Sequence, residues 1–283
     1  MATYQTLITV EQLADRVGDP GWAVVDCRYR LADVAFGRTA YAESHIAGAV
    51  FADIGDDLSG PVVRGKTGRH PLPDVAAMAE KLGGWGIGEG VQVAAYDDSG
   101  GGMAARLWWL LRWLGHEAAA VLDGGWLPWQ VRGFPVRAGL ERRAGRRFVP
   151  RERAELVWSA TRVDQVRTDP AWRVLDARSA DRYRGENETI DPVAGRIPGA
   201  VSAPYAENLA PDGRFKSKED LRRRYLGLLD GVPADRAGCY CGSGVTAAHD
   251  VLAMAHAGLG QAKLYAGSWS EWITDPSRPL AAG

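Results

Sequence analysis

The feature that most constrains the fold of this chain is an internal repeat. Four segments of the first half recur in the same order in the second half, about 145 to 150 residues later. The matching pairs are WAVVDCRYR (22–30) with WRVLDARSA (172–180), SHIAGAVFADI (44–54) with GRIPGAVSAPY (195–205), AAYDDSGGGMAAR (94–106) with GCYCGSGVTAAHD (238–250), and LDGGWLPW (122–129) with LYAGSWSEW (264–272). Because this period is far longer than a solenoid repeat, the chain of 283 residues is predicted to contain two copies of one domain.

Both halves alternate strand-like and helix-like segments. Val24–Asp26 and Val174–Asp176 are short apolar runs that end in a carboxylate, which is typical of buried parallel strands. Further strands, each followed by a glycine-rich turn and a helix, are predicted at 91–96 before 103–114 and at 237–240 before 245–257. This alternation predicts an α/β fold of two tandem domains, each with a mainly parallel central sheet flanked by helices.

The repeat also sets the predicted domain boundaries. The first domain is predicted to cover residues 1–138 and the second domain residues 156–283. The segment between them, 139–155, is rich in arginine and lacks periodicity. We therefore expect it to be a solvated linker, not a binding patch.

The overall composition argues against several classes of partner. A formal charge of −1 gives no field that would attract nucleic acid or a membrane surface, so neither is expected as a partner. No apolar run is long enough to cross a bilayer, and the N-terminus lacks the pattern of a signal peptide. Three cysteines are too few for a disulfide framework, so a cytoplasmic location is expected.

Cys241 is the candidate nucleophile because of its place between a strand and a helix. Ligands of open parallel sheets bind beyond the carboxyl ends of the strands, where Cys241 falls. Gly242 and Gly244 let the backbone curl so that N–H groups point inward, and the helix N-terminus adds positive potential. Both effects stabilise a thiolate over a thiol. The alternatives are a buried structural thiol, a metal ligand with Cys239, and a redox pair with Cys239.

The motifs of both halves resemble those of the two-domain rhodanese family, the thiosulfate and 3-mercaptopyruvate sulfurtransferases. HIAGAV, RIPGAV, LDGGW and GSWSEW match motifs of that family, and the loop Cys-Gly-Ser-Gly-Val-Thr (241–246) occurs in the second half alone. The first half carries Asp97 at the position of the cysteine. The resemblance implies that both domains are rhodanese-like, that the N-terminal domain is catalytically silent and that the C-terminal domain is catalytic.

The resemblance also implies a double-displacement reaction. The Cys241 thiolate takes a sulfane sulfur from a donor as a persulfide, and cyanide, a small thiol or a protein thiol then accepts it. The amides of Gly242, Gly244, Val245 and Thr246 are expected to bind the substrate and to stabilise its negative charge. No metal and no organic cofactor is implied.

The donor is expected to be 3-mercaptopyruvate, with thiosulfate as the alternative. Thiosulfate-preferring members of the family carry two cationic residues directly after the cysteine, where this chain has Gly242 and Ser243. In the mercaptopyruvate branch, Ser243 matches a serine of a Ser–His–Asp relay, and His70 of GRHPLP matches its histidine. At the position of the relay acid this chain has a glycine, so Asp56 or Asp57 is the candidate replacement.

Arg182 matches the arginine that binds the anionic group of the donor. A guanidinium group suits a carboxylate because it can bind both oxygens. The mercaptopyruvate branch has a second arginine further along the chain, and this sequence has Thr189 there. Arg184 and Arg196 are the candidates for the missing charge, and this departure keeps thiosulfate open as the donor.

Two functions from other classes compete with sulfur transfer. A cysteine-dependent phosphatase needs an arginine six residues after the cysteine, and this chain has Ala247 there. A non-catalytic sulfur carrier or binding module would form no persulfide from a small-molecule donor. A redox protein using both cysteines would depend on Cys239 as well as on Cys241.

Overall fold

The computed structural model describes residues 3–283 as two compact units. The first unit comprises the described chain up to Gly60, together with Pro73–Arg153 and Pro211–Arg214. The second unit comprises Pro61–Leu72, Ala154–Ala210 and Phe215–Gly283. A short segment from the first half of the chain therefore belongs to the second unit.

The first unit has a parallel sheet with helices around it. Its strands are β1 (Leu7–Ile8), β2 (Trp22–Asp26), β3 (His45–Ile46), β4 (Val50–Phe51), β5 (Gln92–Tyr96), β6 (Ala119–Leu122) and β7 (Val136–Arg137). Its helices are α1 (Val10–Ala14), α2 (Phe36–Glu43), α3 (Val75–Gly84), α4 (Ala104–Trp113) and α5 (Trp126–Val131). The main sheet has the order β1-β6-β5-β2-β4 with parallel pairing, and β3 pairs antiparallel with β7.

The second unit repeats this plan with a shorter sheet. Its strands are β8 (Arg173–Asp176), β9 (Val201–Ser202), β10 (Ala237–Tyr240) and β11 (Lys263–Leu264), in the parallel order β11-β10-β8-β9. Its helices are α6 (Ala160–Val166), α7 (Ala180–Arg184), α8 (Lys218–Leu229), α9 (Ala247–His256) and α10 (Ser268–Trp272). Short 3-10 turns lie at Ala154–Leu156, Tyr205–Asn208 and Ala234–Arg236. The predicted α/β fold with two parallel sheets flanked by helices is confirmed.

A buried cluster of four side chains organises the sheet of the first unit. Arg28 binds the carboxylate of Asp26 through Nε and Nη2, with the shortest distance 2.6 Å. Tyr96 donates its O–H to the same carboxylate at 2.6 Å, and the Arg28 guanidinium lies 4.6 Å from the ring centroid of Trp126. The charge of Arg28 is thus paired with Asp26 and covered by an aromatic face, as a buried guanidinium requires.

The second unit contains the same cluster at the repeated positions. Arg178 binds Asp176 with a shortest distance of 2.6 Å and lies 4.9 Å from the ring centroid of Trp269. Tyr240 accepts the N–H of Ile197 at 3.2 Å, as Tyr96 accepts an N–H in the first unit. The repeat in the sequence therefore encodes the same packing around each sheet.

The helix after each central strand is buried on nearly all sides. In α4, Trp108, Trp109 and Trp113 are buried, and in α9 every residue from Ala247 to Met254 is buried. Such helices are held from several directions, so the loops before them have fixed positions. No helix among residues 3–283 is long and apolar enough to cross a membrane.

The arginine-rich stretch before the second unit is ordered along the first unit. Arg146 donates its N–H to the carbonyl of Gly83 at 2.9 Å, and Arg151 donates to that of Leu114 at 2.9 Å. Phe148 is 9% exposed. Without forming a helix or strand, this stretch is therefore held by backbone hydrogen bonds and by one buried ring.

Candidate active site

The loop 241–246 connects the end of β10 to the start of α9. Gly244 has φ +76°, and a Cβ there would overlap the carbonyl of Ala266. Glycine is therefore required at this position for both its conformation and its size. Val245 is buried, and Thr246 is the N-cap of α9 with φ −70°.

Cys241 lies at the base of this loop, and the residue is 2% exposed. Its Sγ accepts the N–H of Gly244 at 3.1 Å. Its own N–H donates to Ser268 Oγ at 3.0 Å, and its carbonyl accepts the N–H of Trp269 at 3.0 Å. Ser268 itself is fully buried in the left-handed region, with φ +56°. These bonds fix the backbone so that an amide points at the sulfur.

The structure brings His70 and Ser243 together. His70 Nδ1 and Ser243 Oγ lie 2.8 Å apart, and both residues are buried. His70 lies in the segment Pro61–Leu72, which belongs to the second unit together with Ser243. Gly68 makes this packing possible, since a Cβ there would overlap the carbonyl of Gly267.

Arg182 lies beside the same loop and is held by two buried carboxylates. Its Nε and Nη2 bind Glu188 at 3.0 and 2.9 Å, and Nη2 also lies 3.1 Å from Asp191 Oδ2. A Cβ added to Gly242 would stand 3.6 Å from both terminal nitrogens of Arg182. Burial raises the pKa of Asp191, whereas the Asp191 N–H and Arg182 outweigh burial and lower the pKa of Glu188.

Arg69 is a residue of the site that the sequence reasoning missed. Its Nη1 forms an ion pair with Asp191, and its backbone N–H donates to Ser270 Oγ at 3.0 Å. A Cβ on Gly242 would lie 2.7 Å from Arg69 Nη2. The sequence could have indicated Arg69 through its position directly before His70, because a residue next to His70 must lie close to wherever His70 lies.

The arginines proposed to supply the missing charge have other contacts. Arg184 binds Glu186 at 2.7 Å, and Arg196 donates to the carbonyl of Gly283 at 2.7 Å and lies over the ring of Tyr183. Thr189 is exposed next to Glu188. Arg69 is thus the arginine that accompanies Arg182 near Gly242.

The candidate acids of the relay lie in the first unit. Asp57 Oδ1 binds Lys81 Nζ at 2.8 Å, and its Oδ2 accepts the N–H of Asp53 at 2.9 Å. Asp56 lies 3.6 Å from Arg38 in an exposed pair. Both carboxylates therefore have contacts within that unit.

The second cysteine of the motif is enclosed in the core. Cys239 is fully buried in β10, and burial raises its pKa well above the usual value, with Asp250 contributing in the same direction. Over residues 3–283, each cysteine is a free thiol, and no group of three or more His, Cys, Asp and Glu side chains is arranged to hold a metal.

The equivalent loop of the first unit is closed by its own carboxylate. Asp97 Oδ1 accepts the N–H groups of Ser99 and Gly101 at 2.8 and 2.9 Å, and Oδ2 accepts those of Met103 and Ala104 at 2.7 and 2.8 Å. Burial raises the pKa of Asp97, and these four amides oppose the rise. The carboxylate occupies the place where a bound anion would otherwise be held by the amides.

The fold and this loop define a family of proteins. Residues 9–132 and 159–275 each match the family model described as the Rhodanese-like domain. The chain therefore belongs to the rhodanese family, as its motifs predicted.

The chain is also similar to individual members of that family. It is 48% identical to a protein of Pseudomonas aeruginosa named "Probable 3-mercaptopyruvate sulfurtransferase", over 98% of both chains. It is 31% identical to the thiosulfate sulfurtransferase of Bos taurus, over 95% of this chain and 92% of the relative. The solved 3-mercaptopyruvate sulfurtransferase from Leishmania major superposes with a TM-score of 0.85 at 31% identity, covering 97% of this chain and 75% of that one.

Proposed function

We propose that this chain is a sulfurtransferase that moves a sulfane sulfur from 3-mercaptopyruvate to a thiophilic acceptor through a persulfide on Cys241. The observation that carries the proposal is the hydrogen bond from the Gly244 N–H to Cys241 Sγ, at 3.1 Å in a loop of backbone amides. An amide directed at sulfur stabilises negative charge there at each stage of the reaction. The names of the similar proteins support the same reaction class.

In the first displacement, the Cys241 thiolate attacks the sulfur of the donor. An S–S bond forms and the C–S bond of 3-mercaptopyruvate breaks, with its electron pair passing to carbon as the enolate of pyruvate. The enolate takes the proton that the donor thiol carried, which leaves pyruvate and an ionised persulfide. We expect Ser243, whose Oγ lies 2.8 Å from His70 Nδ1, to donate its O–H to the keto oxygen while charge develops on it.

In the second displacement, the acceptor attacks the outer sulfur of the persulfide. Cyanide leaves as thiocyanate, or a small thiol or protein thiol leaves as a persulfide, and the Cys241 thiolate is restored. Two displacements at one nucleophile predict ping-pong kinetics. In this scheme the sulfur is carried by Cys241 alone. We propose the cytoplasm as the compartment, because the cysteines of the chain are free thiols and a reducing compartment keeps thiols free.

Thiosulfate is the second candidate donor. A family relative carries that name, and two arginines near Gly242 provide positive charge for an anion. The uncharged Gly242 and Ser243 and the contact of Ser243 with His70 favour the ketone-bearing donor instead. A dianion would also meet the buried carboxylates of Asp191 and Glu188 close to the arginines.

The test of the donor compares kcat/KM for 3-mercaptopyruvate and for thiosulfate, with cyanide as the shared acceptor. We expect a ratio well above one. A ratio below one would show that the arginines, and not the uncharged loop, determine the choice of donor. Activity with neither donor would leave a protein-persulfide carrier as the function.

The test of the nucleophile compares Cys241→Ser with Cys239→Ser. We expect Cys241→Ser to abolish transfer and Cys239→Ser to retain it, because the Cys239 thiol is enclosed in β10. Mass spectrometry after exposure to donor should find one added sulfur atom on Cys241 in the parent protein and in Cys239→Ser. Loss of transfer in Cys239→Ser with its fold intact would instead support a redox pair.

A further inference from the structure

The second unit exposes three branched apolar side chains around one cavity. Val62 is 61% exposed, and Val63 and Ile190 are 46% and 43% exposed. Val62 and Ile190 line a cavity of about 390 Å³, which is room for a side chain of a partner. Single exposed apolar residues are common on any protein, but a group of them around a cavity is typical of a surface that binds another molecule.

The same surface carries positive charge that the chain does not neutralise. Arg64 lines the cavity, and Lys66 is exposed two residues later. Neither side chain has a hydrogen-bond or ion-pair partner among residues 3–283, and the segment Pro61–Leu72 contains no acidic residue. Asp191 also lines the cavity, but it is buried and bound to arginine. The cationic surface is formed by Val62, Val63, Arg64, Lys66 and Ile190.

The loop that presents the cationic surface is ordered by its own hydrogen bonds. Thr67 Oγ1 accepts the N–H of Val63 at 3.0 Å. The carbonyl of Val63 accepts the N–H groups of Lys66 and Thr67, both at 3.0 Å. Gly65 has φ +75°, a conformation that favours glycine. This closed turn holds the valines outward, which lowers the conformational entropy that binding a partner would cost.

Two residues that line the cavity also contact the loop of the nucleophile. The N–H of Ser270 donates to the carbonyl of Gly242 at 3.0 Å, and Ser270 Oγ accepts the N–H of Arg69 at 3.0 Å. A Cβ on Gly242 would lie 2.7 Å from Arg69 Nη2. Because Gly242 directly follows Cys241, a partner bound to the cationic surface lies next to the loop that carries the sulfur.

Resting on the proposed function, we propose that the cationic surface is the docking site of a protein thiol acceptor that carries acidic and apolar side chains beside its cysteine. An apolar side chain of the acceptor fills the cavity, and its acids face Arg64 and Lys66. Cyanide is too small to contact this surface while it attacks the sulfur. A small thiol could enter the cavity but would leave Val63 and Lys66 uncovered.

Docking at this surface serves the second displacement. The acceptor cysteine attacks as a thiolate and forms a bond to the outer sulfur of the Cys241 persulfide. The bond from that sulfur to Cys241 Sγ breaks and its electron pair stays on Sγ, so the acceptor leaves as a persulfide and Cys241 as a thiolate. In ping-pong kinetics, kcat/KM for the acceptor depends on this half-reaction alone, so the surface affects that ratio and not the ratio for the donor.

The test compares acceptors in the full-length enzyme with 3-mercaptopyruvate as the donor. The probes are cyanide, 2-mercaptoethanol and two short synthetic peptides, each with one cysteine and one leucine, flanked by glutamates in one peptide and by lysines in the other. Arg64→Glu removes an attraction and adds a repulsion, so kcat/KM for the glutamate peptide should fall about 5- to 30-fold. The value for the lysine peptide should rise, and those for cyanide and 2-mercaptoethanol should not change. The effect on both peptides should shrink at about 1 M salt, which screens exposed charges.

A second variant tests the apolar part of the surface, and two controls match both changes. Val62→Ser should lower kcat/KM for both peptides about 5- to 10-fold, because less apolar area is buried, and should leave cyanide unaffected. On α8 of the same unit, Leu226 is 51% exposed and Arg222 is also exposed. Leu226→Ser and Arg222→Glu make the same chemical changes away from the residues that line the cavity, and should leave every kcat/KM unchanged.

Direct binding distinguishes this inference from the proposed function. Calorimetry with a glutamate peptide whose cysteine is replaced by serine requires no sulfur transfer, and Arg64→Glu should weaken its binding about 5- to 30-fold. Absence of binding to the parent protein, or an affinity that Arg64→Glu leaves unchanged, would overturn the docking surface. An equal fall in kcat/KM for 2-mercaptoethanol and for the glutamate peptide would overturn a protein as the occupant. Absence of sulfur transfer from any donor in the parent protein would instead overturn the proposed function.

Discussion

At the scale of single residues, Asp97 and Cys241 occupy the same position in the two loops that the repeat places after β5 and β10. Asp97 fills the first loop with a carboxylate bound by four amides, whereas Cys241 offers the second loop a sulfur that accepts one amide. Amides that already hold an internal anion have no capacity for a ligand. We therefore expect the first loop to transfer no sulfur, because it lacks the thiol and because its amides are occupied.

Replacing Asp97 with alanine should destabilise the protein without impairing transfer. Four N–H groups, two of them in buried hydrogen bonds and two in partly buried ones, would lose their acceptor, so the free energy of unfolding should fall by at least about 2 kcal/mol. Urea unfolding measures this loss. Asp98→Ala is the control, because it removes only a partly exposed pair with Arg30 and should cost less than about 1 kcal/mol. Equal stability of the two variants would contradict the role of Asp97 in the loop.

At the level of elements, the segment Pro61–Leu72 contributes two side chains to the surroundings of the Cys241 loop. It has no helix or strand, yet it brings both His70 and Arg69 to the Cys241 loop. Its approach depends on Gly68, which packs against the Gly267 carbonyl. The positions of His70 and Arg69 therefore depend on the close approach that Gly68 allows.

Gly68→Ala should lower kcat/KM while the protein remains folded. The added Cβ would overlap the Gly267 carbonyl, so the segment must move outward and carry His70 and Arg69 with it. A displacement of this kind is expected to cost about 10- to 100-fold in kcat/KM for 3-mercaptopyruvate. Gly84→Ala is the control, since its Cβ would meet nothing within 4 Å at the end of α3. Unchanged kcat/KM in Gly68→Ala would show that the segment does not position the site.

The elements themselves were predictable from local pattern. The predicted strand 237–240 is observed as β10, and the predicted helix 103–114 is observed as α4, shorter by one residue at each end. Arg69 was not predictable in this way, because its partner Asp191 is 122 residues away and no local pattern links them. Apolar periodicity fixes a strand or helix, but an ion pair between distant loops depends on the packing of the whole unit.

At the scale of the whole molecule, the repeat explains the parallel sheet and the buried cluster that both units share. It does not explain the buried polar groups that the second unit has in addition. The Asp–Arg–Tyr–Trp cluster recurs around both sheets because the repeat carries the same four residue types at equivalent positions. The second unit adds buried polar groups behind its loop, with Asp250 at their centre. Asp250 Oδ1 accepts Asn208 Nδ2 at 2.8 Å and the O–H of Tyr225 at 3.0 Å. Its Oδ2 is buried with no hydrogen-bond partner among the described residues.

Asp250 should make the stability of the protein depend on pH. Burial raises its pKa to about 7, against the opposing effects of Arg224, Asn208 and Tyr225. In the unfolded chain an aspartate has a pKa of about 3.9. Between these values the native state binds more protons than the unfolded state, so this group's contribution to stability falls as pH rises from about 4 to about 7 and is constant above.

Asp250→Asn should remove this dependence. The amide oxygen can still accept from Asn208 and Tyr225, and the group no longer ionises. Relative to the parent, the free energy of unfolding of Asp250→Asn should rise by up to about 1.4 kcal/mol per pH unit between pH values of about 5 and 7. Urea unfolding at a series of pH values measures the difference. Tyr225→Phe removes a donor to the carboxylate and should shift the window to higher pH, whereas a pH-independent difference between Asp250→Asn and the parent would show that Asp250 is ionised throughout.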